Sequence, residues 1–173
     1  DHVRATDPSR PVTAGICNLW GAGPWSDLDD LFSALDVCGY NYEVEASIQD
    51  AARHPDRVIV ATESFPNQAF DYWKAVERHP HIAGDFVWTA LDYLGEAGIG
   101  RTYEEGKHTG HMPGWPWHQA NCGDIDLCGW KRPQSFYRDV LWGRAQTPFI
   151  GVHPPLPEGM RIAVSSWGWH DVQ

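Results

Sequence analysis

Carboxylates, an amide, a phenol and an indole recur at equivalent points of this chain, each just after a short apolar run. Glu63 ends the run in "VIVATESFP" (58–66), and Asn41 and Tyr42 end "DVCGYNY" (36–42). Trp88 ends "IAGDFVW" (82–88), with Asp92 and Glu96 just beyond, and Asn18 and Trp20 follow "VTAGI" (12–16). Together these types are what a sugar-cleaving pocket uses. A carboxylate attacks or stabilises an oxocarbenium-like centre, aromatic faces stack on the ring, and amides bind hydroxyls. Glu63 by itself reads equally as a solvated or ion-paired residue, so the elements around it must decide.

The four apolar runs begin at residues 12, 36, 58 and 82. Helical patterns separate them. "SDLDDLFSALD" places Leu28, Leu31, Phe32 and Leu35 at i, i+3, i+4 and i+7, with Ser26 as N-cap. "EVEASIQDAARH" is stopped by Pro55. "NQAFDYWKAVERH" has Asn67 as N-cap, Phe70, Trp73 and Val76 on one face, and Pro80 as its stop. Apolar strands without polar alternation are covered on both faces, as in parallel sheets. Regular βα units predict an α/β fold, a TIM barrel or a doubly wound sheet, and no glycine-rich phosphate loop follows any strand. In barrels, ligands bind where the strands end, which is where the chemical residues stand here.

Residues 89–131 form a long Gly-, Trp-, His- and Pro-rich segment, and segments of that length are usually functional. "RPQSFYRDVLWGR" then reads as a helix opened by Pro133, closing a fourth βα unit. Past it the pattern changes to a proline-rich connector and strand-like material. The expected division is 1–147 for the barrel part and 148–173 for a linker and the first strand of a β-sandwich-like domain. Four βα units make half of an eightfold barrel with two open sheet edges. The chain is therefore expected to be a fragment lacking the N-terminal half of its barrel, or to cover those edges with partners, homo-oligomerisation included.

The formal net charge is −10, against the basic face that nucleic acid demands. No apolar stretch is long enough to span a membrane. Ten Trp residues accord with a carbohydrate partner, since an indole offers a flat apolar face and one donor.

Cys17 and Cys38 read as small core residues. Cys122 and Cys128 flank a short polar loop and could pair, which would suit a periplasmic or secreted protein, the expected location, with a cytoplasmic one as the alternative. His108, His111, His118 and Cys122 match no regular zinc spacing, so neither a metal nor another cofactor is expected.

"RPVT", "GYNY", "ATESFP" and "GDFVWTALDYLGE", in that order and at barrel spacing, resemble the second half of the catalytic barrel of glycoside hydrolase family 2. That family includes β-galactosidases, β-glucuronidases and β-mannosidases. "GDFVWTALDYLGE" and "GDIDLCGWKRPQSFYRDVLW" are similar to its β-galactosidase-like branch, and the tail is similar to the start of the β-sandwich that follows the barrel. The resemblance implies barrel strands five to eight and a retaining mechanism, with Glu63 as nucleophile, Tyr42 supporting it and Trp88 as sugar platform. Asn41, Asp92 and Glu96 would bind hydroxyls, although Asp92 and Glu96 could instead pin the loop. The family's acid/base is the glutamate of an Asn-Glu pair, and no such dipeptide occurs in these residues. One carboxylate cannot complete a double displacement, so the isolated chain is expected to be inactive. The rival expectation is a non-catalytic carbohydrate-binding or decayed barrel, in which Glu63 only ligates hydroxyls.

Overall fold

The computed structural model describes residues 2–18, 21, 23–104, 115, 117–152, 155–162 and 167. It divides into two compact units, Asp1–Ser64 with Phe70–Phe86, and Phe65–Ala69 with Val87–Gln173. The elements run α1 (His2–Thr6), β1 (Thr13–Cys17), α2 (Asp29–Ser33), β2 (Val37–Asn41), α3 (Val44–Arg53), β3 (Ile59–Ser64), α4 (Ala69–Arg78) and β4 (Ile82–Val87). β5 (Tyr93–Leu94), β6 (Thr102–Glu104), β7 (Gln119–Ala120), α5 (Pro133–Leu141) and β8 (Met160–Ile162) follow.

The first four strands form one sheet in the order β1-β2-β3-β4. β1 with β2 and β2 with β3 are parallel, as βα repeats require. The core of the first unit lies between this sheet and its helices. Cys38 and Tyr40 of β2 and Ile59 and Ala61 of β3 meet Phe32, Val44, Tyr72 and Ala75. Trp25, Phe32 and Tyr40 form an aromatic cluster with ring centroids 4.7–5.4 Å apart.

A buried polar network ties α2, β2 and α3 together. Asp50, 1% exposed, accepts from the Tyr40 hydroxyl at 2.7 Å, from Arg53 at 2.5 Å and from Arg57 at 3.0 Å. Both arginines also reach Asp29 of α2, at 2.8 and 3.0 Å. Burial, with the Asp50 carboxylate beside it, pushes the Tyr40 phenol well above its ordinary value. The hydroxyl therefore stays a donor to Asp50.

The strands fall within about two residues of the expected runs, but several details differ. The first helical pattern begins as a 3-10 turn, Trp25–Leu28, with Pro24 rather than Ser26 at its N-cap position. Asn67 lies inside the 3-10 turn Pro66–Gln68, with Phe65 as N-cap. The buried stripe of α4 is Ala69, Tyr72 and Ala75, while Phe70 is 45% exposed. Cys38 is a core residue, but Cys17 is exposed, because it pairs with Asn41 on the face away from the helices while its neighbour Ile16 packs on the core. Cys122 is buried and Cys128 exposed, both as free thiols, so they do not pair and the disulfide argument for an oxidising compartment falls. Among the described residues no helix is long and apolar enough to cross a membrane.

Candidate active site

β2 and β3 carry the first group of candidates. Their pairing runs Cys38 with Ile59, Gly39 with Val60 and Tyr40 with Ala61, then slips, so that Asn41 pairs with Glu63. Thr62 is the extra residue of a bulge, and bulges re-aim side chains. Strict alternation from Ile59 and Ala61 would turn residue 63 toward the helices. The slip instead gives Glu63 the face of its ladder partner Asn41, away from the packed helices.

Two glycines clear that face. A Cβ at Gly39 would lie 2.3 Å from the Ala14 carbonyl oxygen and 2.8 Å from the Thr62 side chain. One at Gly15 would lie 3.0 Å from Asn41 Oδ1 and 3.2 Å from Thr62 Oγ1. Asn41 therefore stands over a floor of bare backbone. Its Oδ1 accepts from the Thr62 hydroxyl at 2.5 Å, which leaves the amide N–H groups pointing elsewhere.

Tyr42 follows at φ 63, in the left-handed region that non-glycine residues rarely occupy. Its backbone N–H donates to the Glu63 carbonyl at 2.8 Å, so the strand ends carrying the two side chains are tied together. Glu63 is half-buried and Tyr42 buried. Among the described residues no side chain donates to the Glu63 carboxylate. The next residue, Ser64, is fully buried and donates to Asp85 of β4 at 2.8 Å, which anchors the end of β3.

Trp88, Asp92 and Glu96 belong to the second unit. Asp92 is 1% exposed and both of its oxygens are engaged. Oδ1 accepts from Arg132 at 2.7 Å and from the Gly123 N–H at 2.8 Å, and Oδ2 accepts from Arg132 at 2.5 Å. Arg132 also donates to the carbonyls of Asn121 and Gly123, at 2.9 and 3.1 Å. Nearby, Arg138 donates to Asp124 at 2.7 Å. Of the two roles open to Asp92, hydroxyl ligand or loop pin, this is the geometry of a pin.

Trp88 is half-buried, and its indole N–H donates to the Tyr93 hydroxyl at 3.0 Å. That hydroxyl in turn donates to Oε2 of the exposed Glu96. Burial, then the Glu96 carboxylate, raises the Tyr93 phenol. Cys122 sits beside this group, and burial pushes its thiol up to about 12, so it stays protonated.

Thr62, Ser64, Tyr93 and Arg132 were not singled out from the sequence. Tyr93 lies inside the quoted "LDYLGE", so a phenol between two candidate residues was the available signal. Arg132 is 40 residues from Asp92, and nothing local marks the pair. Trp20, His108 and His111 lie outside the described residues. Among the described residues no group of three or more metal-ligating side chains comes together.

No protein-family profile matches the chain. A solved structure of a glycosyl hydrolase family 2 member from Bacteroides cellulosilyticus superposes with a TM-score of 0.73 at 43% identity, over 99% of this chain and 21% of that one. A β-galactosidase of Bacteroides ovatus, BoGH2A, is 26% identical over 206 residues, covering 92% of this chain and 22% of its own length. A β-glucuronidase structure from Bacteroides uniformis, at 14% identity and a TM-score of 0.54, shares the fold alone. The chain thus spans about a fifth of the length of the relatives it matches. The resemblance to glycoside hydrolase family 2 read from the motifs is borne out by these relatives.

Proposed function

We propose that this chain belongs to a retaining glycoside hydrolase that cleaves terminal β-linked sugars of the β-galactoside type, with Glu63 as nucleophile. The supporting observation is the register slip between β2 and β3. It turns a half-buried carboxylate at the end of a parallel strand onto the face that carries Asn41. Strand ends in a parallel sheet are where α/β enzymes hold their ligands. The similarity to a β-galactosidase and to family 2 structures supports the same reading.

In this proposal the four-stranded sheet is strands five to eight of an eightfold barrel, and residues 148–173 begin a β-sandwich. Glu63 attacks the anomeric carbon as the glycosidic bond breaks. A protonated carboxyl supplied by the rest of the barrel gives its proton to the leaving oxygen. Water then releases the sugar from Glu63, with the same group acting as base. Retention requires the two carboxyls to stand ~5–5.5 Å apart. Asn41 donates its amide N–H groups to substrate hydroxyls, the Tyr42 backbone N–H holds the end of the strand that carries Glu63, and Trp88, in the second unit, offers its indole face to a sugar ring. Asp92 holds the loop rather than the sugar. The chain alone lacks a second catalytic carboxyl and is inactive.

The test is Glu63→Gln in the natural full-length protein, assayed on a chromogenic β-galactoside. The expected loss is roughly a thousandfold or more in kcat, as for other catalytic nucleophiles. A mechanism-based fluorosugar should label the peptide that carries Glu63. Hydrolysis within a few-fold of wild type, or a label on another peptide, would overturn the assignment.

A further inference from the structure

Cys17, Asn41 and Glu63 form one row across the ends of β1, β2 and β3, since Cys17 pairs with Asn41 and Asn41 with Glu63. Ladder partners share a face, and neighbouring strands lie ~4.8 Å apart, so the row spans ~10 Å with Asn41 at its centre. All three residues belong to the first unit. Thr13, Gly15 and Cys17 are the exposed positions of β1, while Ile16 packs on the core. Asn41 leans over β1, because a Cβ at Gly15 would lie 3.0 Å from its Oδ1 and 3.5 Å from its Nδ2. Gly15 and Cys17 share that face, so the amide and the thiol border one space. Asn41 is 6% exposed and its Oδ1 is taken by Thr62, yet among the described residues nothing accepts from its Nδ2. An almost buried N–H pair with no protein acceptor is one that a ligand oxygen satisfies.

We propose that Cys17 is a further residue of the sugar site, its thiol forming the wall beside the Asn41 amide. The inference rests on the reading of Glu63 as nucleophile, because that reading lays the bound ring along this row. A ring hydroxyl accepts from Asn41 Nδ2, and the Cys17 Sγ meets the ring surface next to it as a small apolar group. Cys17 takes no part in bond making. Its contribution is the size of the space, and a larger group on the same sulfur fills that space.

The test uses the natural full-length protein and two thiol reagents of different size, methyl and benzyl methanethiosulfonate. Each leaves its S-alkyl group on an exposed thiol as a mixed disulfide and releases a sulfinate. Peptide mapping by mass spectrometry reads the labelling of Cys17. Methyl β-galactoside at roughly ten times its Kd should slow that labelling about tenfold. On a chromogenic β-galactoside the S-benzyl form should lose about tenfold more kcat/KM than the S-methyl form, and dithiothreitol should reverse both losses. Cys17→Ala should respond to neither reagent, which separates Cys17 from the exposed Cys128. Should Cys17→Ala fail to fold, mapping and protection in the wild type still decide. No label on Cys17 in the native protein, labelling at one rate with and without the sugar, equal activity of the two alkylated forms, or continued sensitivity of Cys17→Ala would each overturn the proposal. Protection needs no turnover, so Glu63→Gln separates the two levels. If its activity is lost and the sugar does not protect Cys17, the Cys17 inference alone fails. If its activity persists, the hydrolase reading fails, and protection still decides whether Cys17 lines a sugar site.

Discussion

Asn41 pairs with Glu63 across β2 and β3, and Thr62 is the residue left over. The slip does two things at once. It turns the carboxylate, and it puts the Thr62 hydroxyl against Asn41 Oδ1. Thr62→Val is close to isosteric and removes only that donor. Its expected cost in urea denaturation is ~0.5–1.5 kcal/mol. In the full-length protein kcat/KM should fall by about tenfold, the size of one lost hydrogen bond in the transition state. Unchanged kinetics would show that Thr62 does not orient Asn41.

Asp50 accepts from Tyr40, Arg53 and Arg57 in a nearly dry setting. Asp50→Ala leaves Arg57, itself 9% exposed, without its buried carboxylate. Removing one partner of such a pair costs ~3–5 kcal/mol. Chemical denaturation should register this, and Tyr40→Phe, which removes a hydroxyl that donates to Asp50 and accepts from Arg57 but leaves the charges paired, should cost less.

Asp92→Asn removes the charge that holds Arg132 while nearly preserving shape. Amide exchange at Gly123, whose N–H donates to Asp92, should accelerate by tenfold or more, since a charge-assisted bond is worth ~1.5–3 kcal/mol. Equal protection in both proteins would mean that backbone contacts alone hold the loop.

Glu43 gives a pH test with a defined sign. Burial, then neighbouring Glu45, raises its pKa, and the buried Tyr72 phenol, itself in the field of Asp85, also lies beside it. A raised acid favours the folded state most when protonated. That contribution is full below its unfolded value, near 4.5, and is lost as pH rises through the higher folded value. Glu43→Gln should therefore gain on wild type as pH rises toward neutrality, and the gain should fade on acidification. Thermal midpoints of both proteins across pH 4–8 provide the measurement, and a gap that widens on acidification would refute the assignment.

The βα order and four strands were legible because apolar runs and helical periodicity are local signals. The ends of the strands were legible because the chemical residues interrupt those runs. What stayed hidden was non-local. The α4 stripe of Phe70, Trp73 and Val76 ranks residues by apolarity; Val76 does pack on the core, but the space under the sheet is filled by Tyr72 and Ala75, and Phe70 stays outside. The bulge at Thr62 depends on how two distant strands pair, and "ATES" alone carries no sign of it. Cys122 and Cys128 looked pairable by spacing, yet one is buried and the other exposed. Arg132 finds Asp92 only after the chain has doubled back.

The floor beneath Asn41 sets how this region can vary. Gly39 faces the Ala14 carbonyl so closely that even one methyl group would force the strands apart. A saturation-mutagenesis map of this chain would therefore register position 39 as almost immutable, though it carries no reactive atom. New specificities would have to arise on the loops, where a side chain can be exchanged without moving a strand.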